Sequence, residues 1–253
     1  MKKYLFFDID GTLTNANPGG IVTESTKRTL KKLKENGHFI AIATGRANYF
    51  AIDFAKENGF ENMVSDGGNG LMINNEVQEI EPLDFTTCNQ IIDECLKADI
   101  PFAVAINNEA TLYSNYPKEI KMQMPGTLHQ DTNIDFHQVN AIYKIFIGCT
   151  IEQEAKIPSI LKLPFMRYLA DHVIIEPMDK YKGIKKMVTL VGGKEEDIVV
   201  FGDGKNDYSM MKEAPMSIAM GNAIDEVKEI ATFVTKSNVE DGIEYACKHF
   251  GWM

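Results

Sequence analysis

The run Tyr4-Leu5-Phe6-Phe7 passes straight into Asp8-Ile9-Asp10-Gly11-Thr12. An unbroken apolar run is the pattern of a strand buried on both faces, which belongs in a parallel sheet covered by helices on either side. Where that strand runs out, two carboxylates stand two residues apart. A strand alternates faces, so Asp8 and Asp10 are expected to point to one side and Ile9 to the other. Like charges so close persist only with a cation between them or with one of them protonated. The stretch therefore implies chemistry at the end of a central parallel strand.

The segments that follow alternate in period. A helix is expected over about Glu24 to Asn36, with Leu30 and Leu33 inward and Gly37 as its stop. His38 to Ala43 reads as a second strand ending in Thr44-Gly45-Arg46, Ala47 to Asn58 as a second helix, and Met63 to Ser65 as a third strand ending in a glycine-rich turn. Strand and helix alternate, so the sheet is expected to be parallel and doubly wound.

The rhythm then changes. Leu71 to Ile73 and Val77 to Ile80 flank Asn74-Asn75-Glu76 as a hairpin, and Pro82 reads as a linker. Further strand pairs are expected at Phe102 to Ile106 with Thr111 to Tyr113, and at Phe165 to Ala170 with Val173 to Glu176, accompanied by helices at about Thr87 to Ala98 and Glu152 to Leu161. From Lys182 the alternation returns, with a helix to about Val191, a strand at Ile198 to Phe201, a helix from Asp207, a strand at Ser217 to Ala219 and a last helix from Asp241. The expected fold is α/β: a doubly wound, Rossmann-like parallel-sheet core formed by residues 1–82 and 181–253, with an inserted α+β cap at 83–180.

Composition narrows the function. A formal charge of −10 argues against nucleic-acid or anionic-membrane partners, because phosphate backbones require a basic surface. An anionic substrate then needs a locally positive pocket. The four cysteines form no C-x-x-C pair and read as reduced, buried thiols. Only four apolar residues follow Met1-Lys2-Lys3 before Asp8, so neither an export signal nor a membrane span is expected, and a cytoplasmic location is.

Three strand ends of the expected core carry polar clusters: Asp8 with Asp10, Thr44 with Gly45, and Gly202-Asp203-Gly204-Lys205-Asn206-Asp207. Open parallel sheets bind ligands outside the carboxyl ends of their strands, where the strand order reverses. Clusters of carboxylates without histidine or cysteine favour a hard cation held through oxygen, Mg²⁺ first among them.

Asp8-Ile9-Asp10-Gly11-Thr12, Thr44-Gly45-Arg46, Lys182-Gly183 and Gly202 to Asp207 resemble, in order, the four motifs of the haloacid dehalogenase superfamily. The large insert is similar to the cap of its Cof-type sugar-phosphate phosphatases. One departure is Asn69-Gly70-Leu71, where such proteins often carry Asn-Gly-Ala. The resemblance implies a Mg²⁺-dependent phosphatase acting on a small phosphomonoester, a sugar phosphate by preference, with no obligate protein partner. It makes Asp8 the nucleophile that becomes an aspartyl phosphate and Asp10 the acid and base. The Asp10 backbone carbonyl, one Asp8 oxygen and Asp203 would hold Mg²⁺, with Asp207 a ligand through water or an orienting group. Thr44, Gly45, Lys182 and Asn206 would bind the phosphoryl group.

The resemblance also implies that the cap selects the substrate, which makes Arg46 at the core rim and Arg167, Asp171 and His172 around a cap hairpin candidates for sugar contacts. A second carboxylate at Asp10 fits an oxygen leaving group, since halide needs no proton. Two other functions remain open on the sequence: a phosphosugar mutase of the same superfamily, and a phospho-acceptor signalling domain without turnover.

Overall fold

The computed structural model describes the backbone of all 253 residues and every side chain except that of Tyr168. The chain divides into two units, one formed by Met1–Ile80 with Asp179–Met253 and the other by Glu81–Met178.

In chain order, the first stretch holds β1 (Tyr4–Phe7), α1 (Glu24–Glu35), β2 (Phe39–Ala43), α2 (Asn48–Glu57), β3 (Met63–Ser65), β4 (Gly70–Ile73) and β5 (Glu76–Ile80). The insert holds α3 (Phe85–Ala98), β6 (Phe102–Ala105), β7 (Thr111–Ser114), β8 (Thr127–Gln130), β9 (Lys144–Ile147), α4 (Ile151–Glu154), β10 (Phe165–Leu169) and β11 (His172–Ile175). The chain then closes with α5 (Lys180–Leu190), β12 (Ile198–Gly202), α6 (Tyr208–Glu213), β13 (Met216–Ala219), α7 (Asp225–Ile230), β14 (Phe233–Val234) and α8 (Gly242–His249).

The first unit is built on an eight-stranded sheet of order β14-β13-β12-β1-β2-β3-β4-β5. From β14 to β3 every pairing is parallel, while β3 to β5 form an antiparallel meander. The β4–β5 turn is made by Asn74 and Asn75, both in the left-handed region with φ of 52° and 64°, as a two-residue hairpin requires.

β1 lies at the switch point, with β2 on one side and β12 on the other. Its side chains divide between two cores. Leu5 and Phe7 pack with Leu30 and Leu33 of α1, Ala51 and Ala55 of α2, and Ile243 and Ala246 of α8. Tyr4 and Phe6 pack with Ile184 and Met187 of α5, Met210 and Met211 of α6, and Val227 of α7. Helices therefore cover both faces, which accounts for the absence of any charged residue in β1.

The strand ends at Phe7. Asp8 is still extended, but Ile9 to Leu13 form a tight turn closed by Leu13 N–H to Asp8 O at 3.3 Å and Thr14 N–H to Ile9 O at 3.0 Å. Gly11 sits there at φ 83°, and a Cβ on it would lie 2.3 Å from Asp203 Oδ2. The expectation that strand alternation aims Asp8 and Asp10 to one side is thereby corrected: a turn, not a strand, separates them.

The second unit is a six-stranded sheet of order β10-β11-β9-β6-β7-β8, antiparallel except between β7 and β8. Its main core joins Ile91, Ile92 and Cys95 of α3 to Phe102, Val104, Ile145 and Val173 of the sheet. One helix was expected over Glu152 to Leu161; α4 instead stops at Glu154, and a separate turn begins at Pro158, which has no N–H to continue a helix. All four cysteines are free and buried, and among the described residues no helix is long and apolar enough to cross a membrane.

Candidate active site

Four loops of the first unit meet at the carboxyl ends of β1, β2, β3 and β12. Asp8 follows β1, Thr44 to Arg46 follow β2, Asp66 to Gly68 follow β3, and Asp203 to Asp207 follow β12. The β3 turn fastens two of the others. Asp66 N–H donates to Arg46 O at 2.9 Å and Gly67 N–H to Thr44 O at 3.2 Å, while the Asp66 carboxylate accepts from the backbone of Asn48 at the start of α2 at 3.0 Å.

The same turn sets α5. A Cβ on Gly68 would lie 2.0 Å from Asp179 O, and a Cβ on Gly183 would lie 2.5 Å from Gly68 O. Only glycines allow this approach, and it carries the first residue of α5 into the site. Lys180 begins the buried stripe continued by Gly183, Ile184, Met187 and Val188, the spacing of one helical face. Its Nζ donates to Asp8 Oδ1 and to Asp207 Oδ1, both at 2.6 Å, with the side chain 1% exposed.

The expectation for Lys182 is therefore corrected. Lys182 is exposed, off that stripe, and its N–H is capped by the Asp179 carboxylate at 3.0 Å. Two residues along a helix turn the side chain roughly 200° away. Lys180 stands three residues before Gly183 and so shares its face; that spacing was the available signal, and adjacency to glycine was the misleading one.

Asp8, Asp203 and Asp207, all buried, bring carboxylate oxygens within 4.8 Å of one another. Asp203 Oδ1 accepts from the Thr12 hydroxyl at 2.8 Å and Oδ2 from the Asn17 amide at 3.4 Å. Asp207 Oδ2 accepts from the N–H groups of Asp203 and Gly204, both at 2.9 Å. Burial, helped by the Asp207 charge and opposed by Lys180, pushes the Asp8 carboxyl up to about 8. Burial and Asp207 likewise push Asp203 up to about 6. Burial works against the charge on Lys180, but Asp207 and Asp8 outweigh it and hold its pKa above the ordinary value. One ammonium among three buried carboxylates leaves net negative charge, and the donors are all hard oxygens, so the cluster suits a divalent cation such as Mg²⁺.

Asp10 lies outside that cluster. Its carboxylate is gripped by Arg46, with Nη2 to Oδ1 at 2.6 Å and Nε to Oδ2 at 3.0 Å, and Gly19 N–H adds a bond to Oδ1 at 2.8 Å. Arg46, expected at the substrate, thus faces a carboxylate of its own chain. Thr44 is buried, and its hydroxyl accepts from Arg46 N–H at 3.1 Å. Gly45 and Asn206 are neighbours: a Cβ on Gly45 would stand 3.8 Å from Asn206 Nδ2.

The remaining expected contacts lie in the second unit. The Arg167 guanidinium binds the carboxylate of Glu154 and the carbonyls of Cys149 and Ala170, the last two at 2.9 Å each, and so ties its hairpin to α4. Asp171 is exposed and pairs with the buried His172 ring at 3.1 Å.

A model of the haloacid dehalogenase-like hydrolases matches residues 5–246. The chain is 30% identical to the "Putative phosphatase YkrA" of Bacillus subtilis (strain 168), across 99% of this chain and 98% of that one. Among solved structures, a hypothetical protein from Geobacillus kaustophilus HTA426 superposes with a TM-score of 0.85 at 28% identity, with 100% of both chains covered. The HAD subclass IIB sugar phosphatase BT4131 superposes with a TM-score of 0.78 at 27% identity, again over 100% of both. The chain belongs to the haloacid dehalogenase-like hydrolase family, as an enzyme of its phosphatase group.

Proposed function

We propose that the protein is a Mg²⁺-dependent phosphomonoesterase acting on a small sugar phosphate through a phosphorylated Asp8. The observation that carries this reading is Lys180 bridging Asp8 and Asp207 beside Asp203, at the switch point of the sheet. The sugar phosphatase BT4131 is the similar protein that supports the substrate class.

Lys180 holds Asp8 Oδ1 and so fixes the carboxylate for in-line attack by an oxygen on phosphorus. As that P–O bond forms, the bond to the leaving oxygen breaks and Asp10 gives the leaving oxygen its proton. A water then attacks phosphorus, Asp10 takes the water's proton, and the bond to Asp8 breaks to release inorganic phosphate. The Thr44 hydroxyl accepts from Arg46 N–H and keeps its own proton for a phosphoryl oxygen, with the Gly45 N–H and the Asn206 amide alongside.

Asp8, the Asp10 carbonyl and Asp203 would hold Mg²⁺, which when bound neutralises the carboxylates and the phosphoryl oxygens. Asp207, whose oxygens accept from Lys180, Asp203 and Gly204, acts by orienting these groups. The test is phosphate release from a panel of sugar, nucleotide and cofactor-precursor phosphates, ranked by kcat/KM with Mg²⁺ and with EDTA. Mg²⁺-dependent release led by sugar phosphates is expected. Isomerised phosphosugar without phosphate would make it a mutase, and no turnover at all a phospho-acceptor.

A further inference from the structure

Arg46 is fixed along its whole length. Its N–H is held by the Thr44 hydroxyl at 3.1 Å, and its carbonyl accepts from Asp66 N–H at 2.9 Å. The guanidinium then lies over two rings of α2, with its central carbon 5.3 Å from the Phe50 centroid and 5.5 Å from that of Phe54. Those rings are four residues apart, hence adjacent on one helix face. From this shelf the guanidinium presents two N–H groups to both oxygens of Asp10, a fork that a carboxylate matches in geometry.

Asp10 itself sits in a turn rather than a strand, with φ −78° and ψ 114°. Among the described residues, the groups that orient its carboxylate are those of Arg46 together with Gly19 N–H. Oδ1 accepts twice and Oδ2 once, so Oδ2 is the oxygen with a lone pair left for a proton.

We propose that Arg46 is the positioning residue of the acid/base aspartate, aligning Asp10 from the aromatic shelf of α2 so that Oδ2 meets the leaving oxygen. The proposal rests on the acid/base role given to Asp10 above. It replaces the direct sugar contact expected for Arg46 from the sequence.

The test exploits the leaving group. An alkyl sugar phosphate needs a proton on its departing oxygen, whereas p-nitrophenyl phosphate does not, and kcat/KM reports the steps through leaving-group release. Arg46→Gln is expected to lower kcat/KM for the sugar phosphate by roughly 10²-fold, the scale of a misplaced reacting group, with a much smaller loss on the aryl ester. Asp10→Asn should show the same selectivity, and Arg46→Gln should add little to it in the double variant. Phe54→Leu, which leaves both partners in place, should shift the ratio of the two kcat/KM values the same way by a smaller factor, and it decides the matter if Arg46→Gln does not fold.

Equal losses on both substrates, or a higher KM alone, in Arg46→Gln beside a selective Asp10→Asn would overturn the positioning role and return Arg46 to substrate binding. A non-selective Asp10→Asn would overturn the acid/base reading itself, and the proposal with it.

Discussion

Lys180 and Lys182 differ by two positions and by everything that surrounds them. Replacing Lys180 by Met leaves Asp8 and Asp207 buried without their cation; a cost of about 3–5 kcal/mol is expected, with turnover lost. Lys182→Met, at an exposed position, should leave melting temperature and kcat near wild type. Thermal melts and phosphate-release assays on the two variants side by side check this, and the opposite ranking would return the site lysine to position 182.

The carboxylates predict a pH dependence with a definite sign. Burial raises Asp8 from an ordinary value of 3.8 to about 8, against the pull of Lys180, so holding it deprotonated costs the metal-free fold stability. Stability from this group is complete below about pH 3.8 and is lost as pH rises through about 8. A cation needs the deprotonated oxygens, so its binding strengthens over the same rise. Melts in EDTA should therefore fall between about pH 6 and 8, and added Mg²⁺ should raise the melting temperature more at the upper end. A Mg²⁺ effect equal at both ends would contradict the assignment.

At the scale of elements, α5 shows how a helix delivers a charge. Gly183 lets it approach the β3 turn, since a Cβ there would stand 2.5 Å from Gly68 O and 2.6 Å from Val64 Cγ1. Gly183→Ala is expected to cost about 1–3 kcal/mol by overpacking and to lower kcat by displacing Lys180. Circular dichroism melts with kinetics measure both, and an unchanged kcat would show that α5 is not what places the lysine.

The elements legible in the sequence were those with a clear period: β1 with its unbroken apolar run, α1 with its inward leucines, and the β4–β5 hairpin with its paired asparagines. What escaped was short or locally contradictory. β14 has two residues, too few for any pattern. β9 opens on Lys144, a charge that reads as surface, yet it is buried against Glu176 with Nζ to Oε2 at 2.6 Å, a partner 32 residues away. The Arg46–Asp10 fork was likewise invisible, because it joins two loops that only the folded sheet brings together.

At the scale of the molecule, the interrupted core was expected because the alternation of strand and helix stops near Pro82 and resumes from Lys182; the chain divides after Ile80 and again at Asp179. The sheet order then brings Asp8, Thr44, Lys180 and Asp203 to one edge from segments up to 195 residues apart, with β1 at the reversal. The roles proposed for them make a single central claim, that phosphate leaves the substrate by way of Asp8. The most direct measurement is the mass of the peptide containing Asp8 after acid quench during steady turnover of a sugar phosphate with Mg²⁺. One added phosphoryl group is expected on Asp8 in the wild type, and in Asp8→Asn neither that adduct nor phosphate release, with the fold intact by circular dichroism. Phosphate released by Asp8→Asn at the wild-type rate would contradict it.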